Sequence, residues 1–372
     1  MSKVVSIDWI LFAATVPLVL AGLVTMNTFT DDSYFFIRQS IWLLASFAVF
    51  FGASLVDWRF LRQSGIVAVL YGIGVITLIA LLLLGPVTRG AQGWFNLFGF
   101  SVQPAEFMKL LLIIILAKYF TRRHVAIANI RHIIISGLYA FIPFVLIFFQ
   151  PDFGSAMILF FIWFGLILIA GISKKHLFLV LLTGILTASF LWLFVLADYQ
   201  KSRVLTVLHP LADIQGAGYN AFQSMVAVGS GQIFGKGVGY GSQSRLEFLP
   251  EHQTDFIFAA FAEEWGLIGA ILVFALFGVV VWRIIATAIR GATNFEVLFG
   301  FGLVIMLASH FIIHVGMNVG WMPITGLPLP FLSYGGSHLL AEFLGLGMLM
   351  GMRRYSLSYH RDDVHNEFLG PQ

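Results

Sequence analysis

Ten apolar runs, most of them near the roughly 20 residues a helix needs to cross a bilayer, constrain this chain before anything else does. They fall at roughly 7–26, 38–56, 64–84, 104–120, 132–149, 153–171, 176–197, 255–282, 295–318 and 337–352. Hydrophobic residues make up 59% of the 372 and charged residues only 10%, which is the balance of an integral membrane protein rather than of a soluble domain with a large core. The expected fold is therefore an all-α polytopic membrane protein of about ten transmembrane helices. The first run is too long for a removable signal peptide and lacks a small-residue cleavage site, so it reads as a retained helix. Cysteine is absent, which excludes disulfides, thiolate metal sites and cysteine nucleophiles. A net charge of +3 gives no case for a nucleic-acid partner.

The distribution of charge orients the chain. With the N-terminus inside, Lys3, Arg59, Arg62, Lys118, Arg122, Arg123, Arg131, Lys174, Lys175, Arg283, Arg290, Arg353, Arg354 and Arg361 share the cytoplasmic side. Of the acidic residues, only Asp8, Asp57, Glu296, Asp362, Asp363 and Glu367 join them. Both patterns predict cytoplasmic termini. Residues 1–354 then form one membrane domain with a long outer loop, 198–254, between the seventh and eighth spans, and 355–372 form a short cytoplasmic tail. No repeat of fixed period is visible, which argues against a duplicated transporter.

The polar outer segments carry the chemistry. The long loop has enough glycine and aromatic residues to be expected to pack over a cavity. Its centre, Gly229–Gly241, invites a phosphate-loop reading but fails the spacing, with Ser230 and Gly237 where glycine and Ser/Thr are required. Its glycines are read instead as allowing tight turns and close backbone approach to a ligand. Without a nucleotide site, any energy-requiring reaction must draw on a gradient or an activated substrate.

The segment Leu249–Gly266 sets Glu251, His252 and Asp255 against an apolar helix and puts Glu263 and Glu264 inside it. Ionisable groups at bilayer depth are costly and mark functional candidates. With Thr254 as N-cap, Asp255 falls in the first turn, where the helix dipole favours its ionised form and burial opposes it. A carboxylate balanced in this way suits general-base work. Glu263 lies eight residues deeper and Glu264 on the opposite face, so the two are not expected to line one pocket; one anchors a buried polar network.

Elsewhere, Glu106 and Lys109 are three apart and share a helix face. They pair with each other or meet an anionic group with Arg89, and the two roles can coexist. Asp152 sits in a Pro-Asp-Phe-Gly turn, where a structural role is as natural as a chemical one. His310 and His314 are four apart, a metal-compatible spacing, but no third ligand accompanies them in sequence, which favours hydrogen-bonded interior histidines. The loop Met322–Ser337 combines prolines with Ser, Thr and Tyr donors and suits a sugar, a phosphate or a rigid plug.

Five segments carry a resemblance: Gln103–Lys109 (QPAEFMK), Gln150–Ser155 (QPDFGS), Gln223–Gly231 (QSMVAVGSG), Phe248–Phe258 (FLPEHQTDFIF) and Pro328–Ser337 (PLPFLSYGGS). Together, and in this order, they resemble the signature segments of the SEDS family (shape, elongation, division and sporulation). Phe234–Gly237 and Gly241–Arg245 look more like the elongation branch, RodA, than the division branch, FtsW. The resemblance implies a peptidoglycan glycosyltransferase of the bacterial cytoplasmic membrane, active on its outer face. Its substrate would be lipid II, and it would work with a class B penicillin-binding protein transpeptidase and the elongation machinery that sets cell shape. It also implies that Asp255 is the essential carboxylate. Around it the expected substrate-binding set is Lys109, Glu106, Arg89, Asp152, Gln223, Lys236, Glu251, His252, Ser333 and Ser337. The chain departs from the family pattern at Ala105, at Gly93 before Trp94 where many members have Arg, and at His338 where many have Ser.

On this reading Asp255 takes the proton from the acceptor's 4-hydroxyl as that oxygen attacks the donor's anomeric carbon. Undecaprenyl pyrophosphate leaves, its charge met by Lys109, Arg89 or a divalent cation, magnesium or manganese. No protein-bound metal site is expected. A lipid II flippase is the rival reading, disfavoured by the missing repeat and the gathering of polar motifs on one face. A scaffold that only recruits the transpeptidase leaves the intramembrane carboxylates unexplained.

Overall fold

The computed structural model describes residues 7–28, 34–63, 65–86, 92–97, 100–121, 130–208, 218–246, 248–249 and 251–367. In chain order the helices are α1 (Trp9–Met26), α2 (Tyr34–Leu55), α3 (Phe60–Gln63) and α4 (Ile66–Leu84), then α5 (Pro104–Thr121), α6 (Ile130–Phe149), α7 (Phe153–Ala170) and α8 (Lys174–Phe190). There follow α9 (Asp198–Leu208), α10 (Tyr219–Ser230), α11 (Ser242–Arg245), α12 (Ile257–Ile289), α13 (Asn294–Asn318) and α14 (Gly336–Glu367). Among the described residues eight helices are long and apolar enough to cross a membrane: α1, α2, α4, α6, α7, α8 with a π-helical turn at Leu191–Val195, α12 and α13. The other two expected spans also form helices, α5 and α14. α5 carries Glu106, Lys109 and Lys118, which lowers its apolar character. The all-helical expectation gains one exception: β1 (Phe95–Leu97) and β2 (Phe100–Val102) pair antiparallel, with Phe95 opposite Val102. α14 runs without interruption past residue 355 to Glu367.

Sequence chemistry sets the helix ends. Asp8 caps α1 by accepting from the Leu11 N–H at 3.1 Å, and Asp152 caps α7 by accepting from Ser155 N–H at 2.9 Å. Gly171 closes α7 in the left-handed region, φ 95°. Pro143 within α6 has no N–H for the carbonyl of Tyr139 four residues earlier. The Tyr71 hydroxyl of α4 donates to that carbonyl at 2.7 Å, repairing the ladder from a neighbouring helix. No residue of α8 is buried, whereas α5 is buried along nearly its whole length between α4, α6, α7, α13 and α14. A span with three charged residues therefore lies in the middle of the bundle, away from lipid.

Asp8 joins three helices at one end of the bundle. Its carboxylate accepts from Arg283 Nε of α12 at 3.0 Å and from an Arg353 guanidinium N–H of α14 at 3.2 Å. Burial alone would raise its pKa, but Arg283, the Leu11 N–H and Arg353 outweigh burial and hold it below the usual aspartate value.

α12 corrects two expectations. It begins at Ile257 with Phe256 at its N-cap and no capping side chain, so Thr254 is not the cap and Asp255 precedes the helix. The Thr254 hydroxyl instead turns back to Glu251 O at 3.3 Å. Inside α12, Gly266 adopts φ 66°, ψ −165° and breaks the helix. Residues 232–237 fill that break with backbone. Lys236 N–H donates to Glu263 O and Gly237 N–H to Glu264 O, while Leu267 N–H and Ile268 N–H donate to Gln232 O and Ile233 O, all at 2.9–3.2 Å. Carbonyls and N–H groups freed at membrane depth are thereby satisfied inside the protein. Two glycines of the Gly229–Gly241 segment allow close approach to α12: a Cβ at Gly231 would sit 2.0 Å from Ala262 O and one at Gly235 2.1 Å from Glu264 O, while a Cβ at Gly266 would sit 2.3 Å from Gly235 N.

Two stability tests follow from these contacts. Gly266→Ala combines that overlap with a strained positive φ and is expected to cost at least about 1–3 kcal/mol; a melting curve in detergent that matches the parent would contradict this. Asp8→Asn is expected to lower the melting temperature at pH 7. Because the folded pKa of Asp8 is depressed, its contribution is complete above roughly pH 4 and is lost as pH falls through the lower folded value. The gap between parent and Asp8→Asn melts should therefore close at acid pH.

Candidate active site

Asp255 lies on a tight turn whose backbone is fixed from three sides. Glu251, at φ 49°, starts the turn, and its carbonyl accepts from the Thr254 and Asp255 N–H groups at 3.1 and 3.0 Å. Asn318, at the end of α13, donates from Nδ2 to Asp255 O at 3.0 Å and to His314 O at 2.8 Å. Its Oδ1 accepts from Ala259 N–H at 3.1 Å, and Ser224 of α10 donates to Asn318 O at 2.8 Å. On the third side, Ser333 Oγ donates to Thr254 O at 2.8 Å and Tyr334 N–H to Gln253 O at 2.9 Å. The Asp255 carboxylate faces the backbone of Gly326, whose φ is 71°; a Cβ there would lie 3.4 Å from Oδ2. Asp255 itself stays partly exposed.

Beside this turn the bundle buries a cluster of charges. Lys109 Nζ contacts Glu106 Oε1 at 2.7 Å and His310 Nε2 at 3.0 Å, with no surface exposed. His310 Nδ1 faces Met306 O at 2.8 Å, and a carbonyl can only accept, so Nδ1 carries the proton and Nε2 accepts from Lys109. His314 likewise donates from Nδ1 to Leu327 O at 2.7 Å. Both are interior, hydrogen-bonded histidines, as the lack of a third ligand in sequence favoured. Sequence could not show that His338 of α14 reaches Glu106 Oε2 at 2.8 Å and approaches Glu342 Oε1 at 3.0 Å. Glu106, His310 and His338 converge closely enough to hold a metal ion. The Lys109 ammonium already bonds two of the three, and a cation cannot share that space with it. The donor set thus fits an ammonium and not a resident metal.

The remaining expected residues divide between this region and the α12 break. Gln103 N–H donates to Ser337 Oγ at 2.9 Å, and Gln103 Nε2 to Asp152 Oδ2 at 3.0 Å, so two motif segments clasp the start of α5. Burial pushes the Asp152 carboxyl up in pKa, against the Ser155 N–H and the nearby Lys109, which pull it down. His252 is buried with Nδ1 2.8 Å from Leu249 O, and Glu251 takes a 3.3 Å bond from Gln253 Nε2. Gln223 is partly exposed on α10 beside Ser224. Lys236 lies at the break, paired with Glu263 Oε1 at 2.6 Å and with 32% of its side chain exposed. Arg89 lies outside the described residues. Glu263 and Glu264 take different partners: Glu263 accepts from Ser242 and Gln243 N–H, and Glu264 from Gly239 N–H and Thr28 Oγ1, so both anchor polar networks.

Asn318, Gln39, Ser224 and Glu342 were missed. The one available signal was polarity within apolar helices, the same signal that singled out the histidines. Gln39 of α2 donates to Ser333 O at 3.1 Å and accepts from Gly335 N–H at 3.2 Å. Asn318→Ala would strand several of these buried groups. The expected loss is about 2–4 kcal/mol of stability, read from chemical or thermal unfolding, and an unchanged midpoint would remove Asn318 from this account.

A family model described as cell cycle protein, covering FtsW, RodA and SpoVE, matches residues 3–358. Stage V sporulation protein E of Bacillus subtilis (strain 168) is 33% identical over 366 residues, 95% of this chain and 99% of that protein. Peptidoglycan glycosyltransferase MrdB of Escherichia coli (strain K12) is 37% identical over 289 residues, 77% of each. Among solved structures, a chain of a peptidoglycan synthase complex that coordinates polymerization and crosslinking superposes with TM-score 0.82 at 30% identity, covering 95% of this chain and 99% of that one. The rod shape determining protein RodA of Thermus thermophilus superposes with TM-score 0.72 at 27% identity, covering 95% and 98%. Motif order, helical architecture and these likenesses over nearly the whole length agree: the chain is a multi-pass membrane protein that belongs to the SEDS family of FtsW, RodA and SpoVE.

Proposed function

We propose that this chain is a peptidoglycan glycosyltransferase that polymerises lipid II on the outer face of the bacterial cytoplasmic membrane during cell elongation, with Asp255 as general base. One observation carries the assignment of the base. Glu106, Glu263 and Glu264 are buried, while Asp255 is partly exposed on a turn fixed through its backbone. A base must reach its proton and must not move while taking it.

In this mechanism Asp255 accepts the proton of the acceptor sugar's 4-hydroxyl as that oxygen bonds to the donor's anomeric carbon. The bond to undecaprenyl pyrophosphate breaks on the opposite side, inverting the centre. Preorganised cations meet the charge of the leaving group. The partly exposed Lys236 suits that role better than Lys109, which has no free surface. The activity of the MrdB relative supports the reaction class. The segments Phe234–Gly237 and Gly241–Arg245 support the elongation branch, while identities to sporulation, elongation and division relatives are similar. The likeness to a chain from a synthase complex supports a class B penicillin-binding protein transpeptidase as partner.

The test is purified chain, with its transpeptidase partner, given lipid II and scored for glycan strands on gels. Asp255→Ala and Asp255→Asn should lower the rate by about 10²–10⁴-fold while leaving the melting temperature near that of the parent. Full polymerisation by either variant would falsify the assignment. Flipping of lipid II in vesicles by a chain that makes no strands would favour the transporter instead.

A further inference from the structure

The buried charges contain a component that the proposed chemistry does not use. His338 lies between two carboxylates: Nδ1 is 2.8 Å from Glu106 Oε2, and Nε2 is 3.0 Å from Glu342 Oε1, an ion-pair distance outside hydrogen-bond alignment. A neutral ring would set a lone pair against one of these oxygens, whereas an imidazolium donates from Nδ1 to Glu106 and places its positive charge beside Glu342. The charges then balance, with Lys109 and His338 against Glu106 and Glu342, and with His310 neutral. All five residues are buried, and they come from α5, α13 and α14.

Glu342 also makes a hydrogen bond, and this one leaves the cluster. Its Oε2 accepts from the Phe331 N–H at 3.1 Å. Phe331 is a buried non-glycine residue at φ 65°, a conformation that costs a bulky side chain energy and must be held from outside. Two residues on, Ser333 Oγ bonds Thr254 O, and Tyr334 N–H bonds Gln253 O. The path from the charge cluster to the Asp255 turn is therefore continuous: His338, Glu342, the Phe331 backbone, Ser333 and Tyr334, then Gln253 and Thr254.

We propose that His338 and Glu342 are positioning residues for Asp255. The His338 cation keeps Glu342 aimed at the Phe331 N–H, Glu342 holds Phe331 left-handed, and the turn so formed fixes the backbone beside Asp255. Neither side chain touches substrate. The inference rests on the reading of Asp255 as base for its effect on rate, but the mechanical link from Glu342 to residues 251–256 stands apart from that reading.

The experiment uses the full-length chain and has two arms. In the first, polymerisation of lipid II is measured for Glu342→Ala, Glu342→Gln, His338→Ala and the double variant Glu342→Ala/His338→Ala. Glu342→Ala should lower kcat about 10-fold or more with KM nearly unchanged, since misplacing a reacting group acts on the chemical step. Glu342→Gln keeps an oxygen for the Phe331 N–H and should recover most of that loss. The double variant should be no worse than the poorer single variant, because both act through one turn. In the second arm, amide hydrogen exchange should rise at Phe331 and across 251–256 in Glu342→Ala but not in Glu342→Gln. Parental kcat in Glu342→Ala, or Gln no better than Ala, overturns the proposal, as does unchanged exchange at 251–256. If the parent chain makes no strands, the proposed activity fails while the exchange arm still decides the link.

Discussion

Burying Lys109 and Glu106 in the central helix is the constraint on which the rest of this structure depends. An uncompensated charge in the bundle interior costs several kcal/mol, so the pair must be satisfied completely or not formed. Satisfaction here takes both oxygens of Glu106 and two contacts of the ammonium, and it draws His310 and His338 inward from α13 and α14. Three helices are thereby fixed in register by one polar knot. Each is also tied to a loop at the same end of the bundle: α5 through Gln103 to Ser337, α13 through Asn318 to Asp255, and α14 through Glu342 to Phe331. Rigidity in the centre is delivered to the turn that carries Asp255.

The α12 break solves a different problem with the same rule. Opening a helix at membrane depth strands backbone groups, and the segment 232–237 meets them with its own backbone. Glu263 and Glu264 then hold the loop by side chain, one through Lys236, Ser242 and Gln243, the other through Gly239 and Thr28. Five acidic and basic groups adjacent in sequence thus separate into two jobs. Glu263 and Glu264 anchor a loop, and the stretch from Glu251 to Asp255 forms the exposed turn.

Much of this was legible in the sequence because local patterns carry it. Apolar run length located the helices, and the three-residue spacing of Glu106 and Lys109 put them on one face, where pairing was one of the two roles open to them. Segments resembling one family do converge: Gln103 meets both Asp152 and Ser337, although they lie 49 and 234 residues away. What stayed hidden depends on tertiary partners. Nothing local tells that Gly266 breaks its helix, because the loop that stabilises the break lies about thirty residues earlier. Thr254 looks like a cap, yet the turn begun at Glu251 captures its hydroxyl first. The roles of Asn318, Glu342 and His338 exist only where α13 and α14 meet distant loops, and one sequence holds no trace of that meeting.

The most direct test of the central claim is a structure of the chain with a non-hydrolysable lipid II analogue as donor and lipid II as acceptor. The account predicts the acceptor's 4-hydroxyl within about 3.2 Å of the Asp255 carboxylate, with the Asn318 and Ser333 contacts to the turn unchanged. An acceptor hydroxyl seated against any other carboxylate, with Asp255 turned away from both sugars, would contradict it.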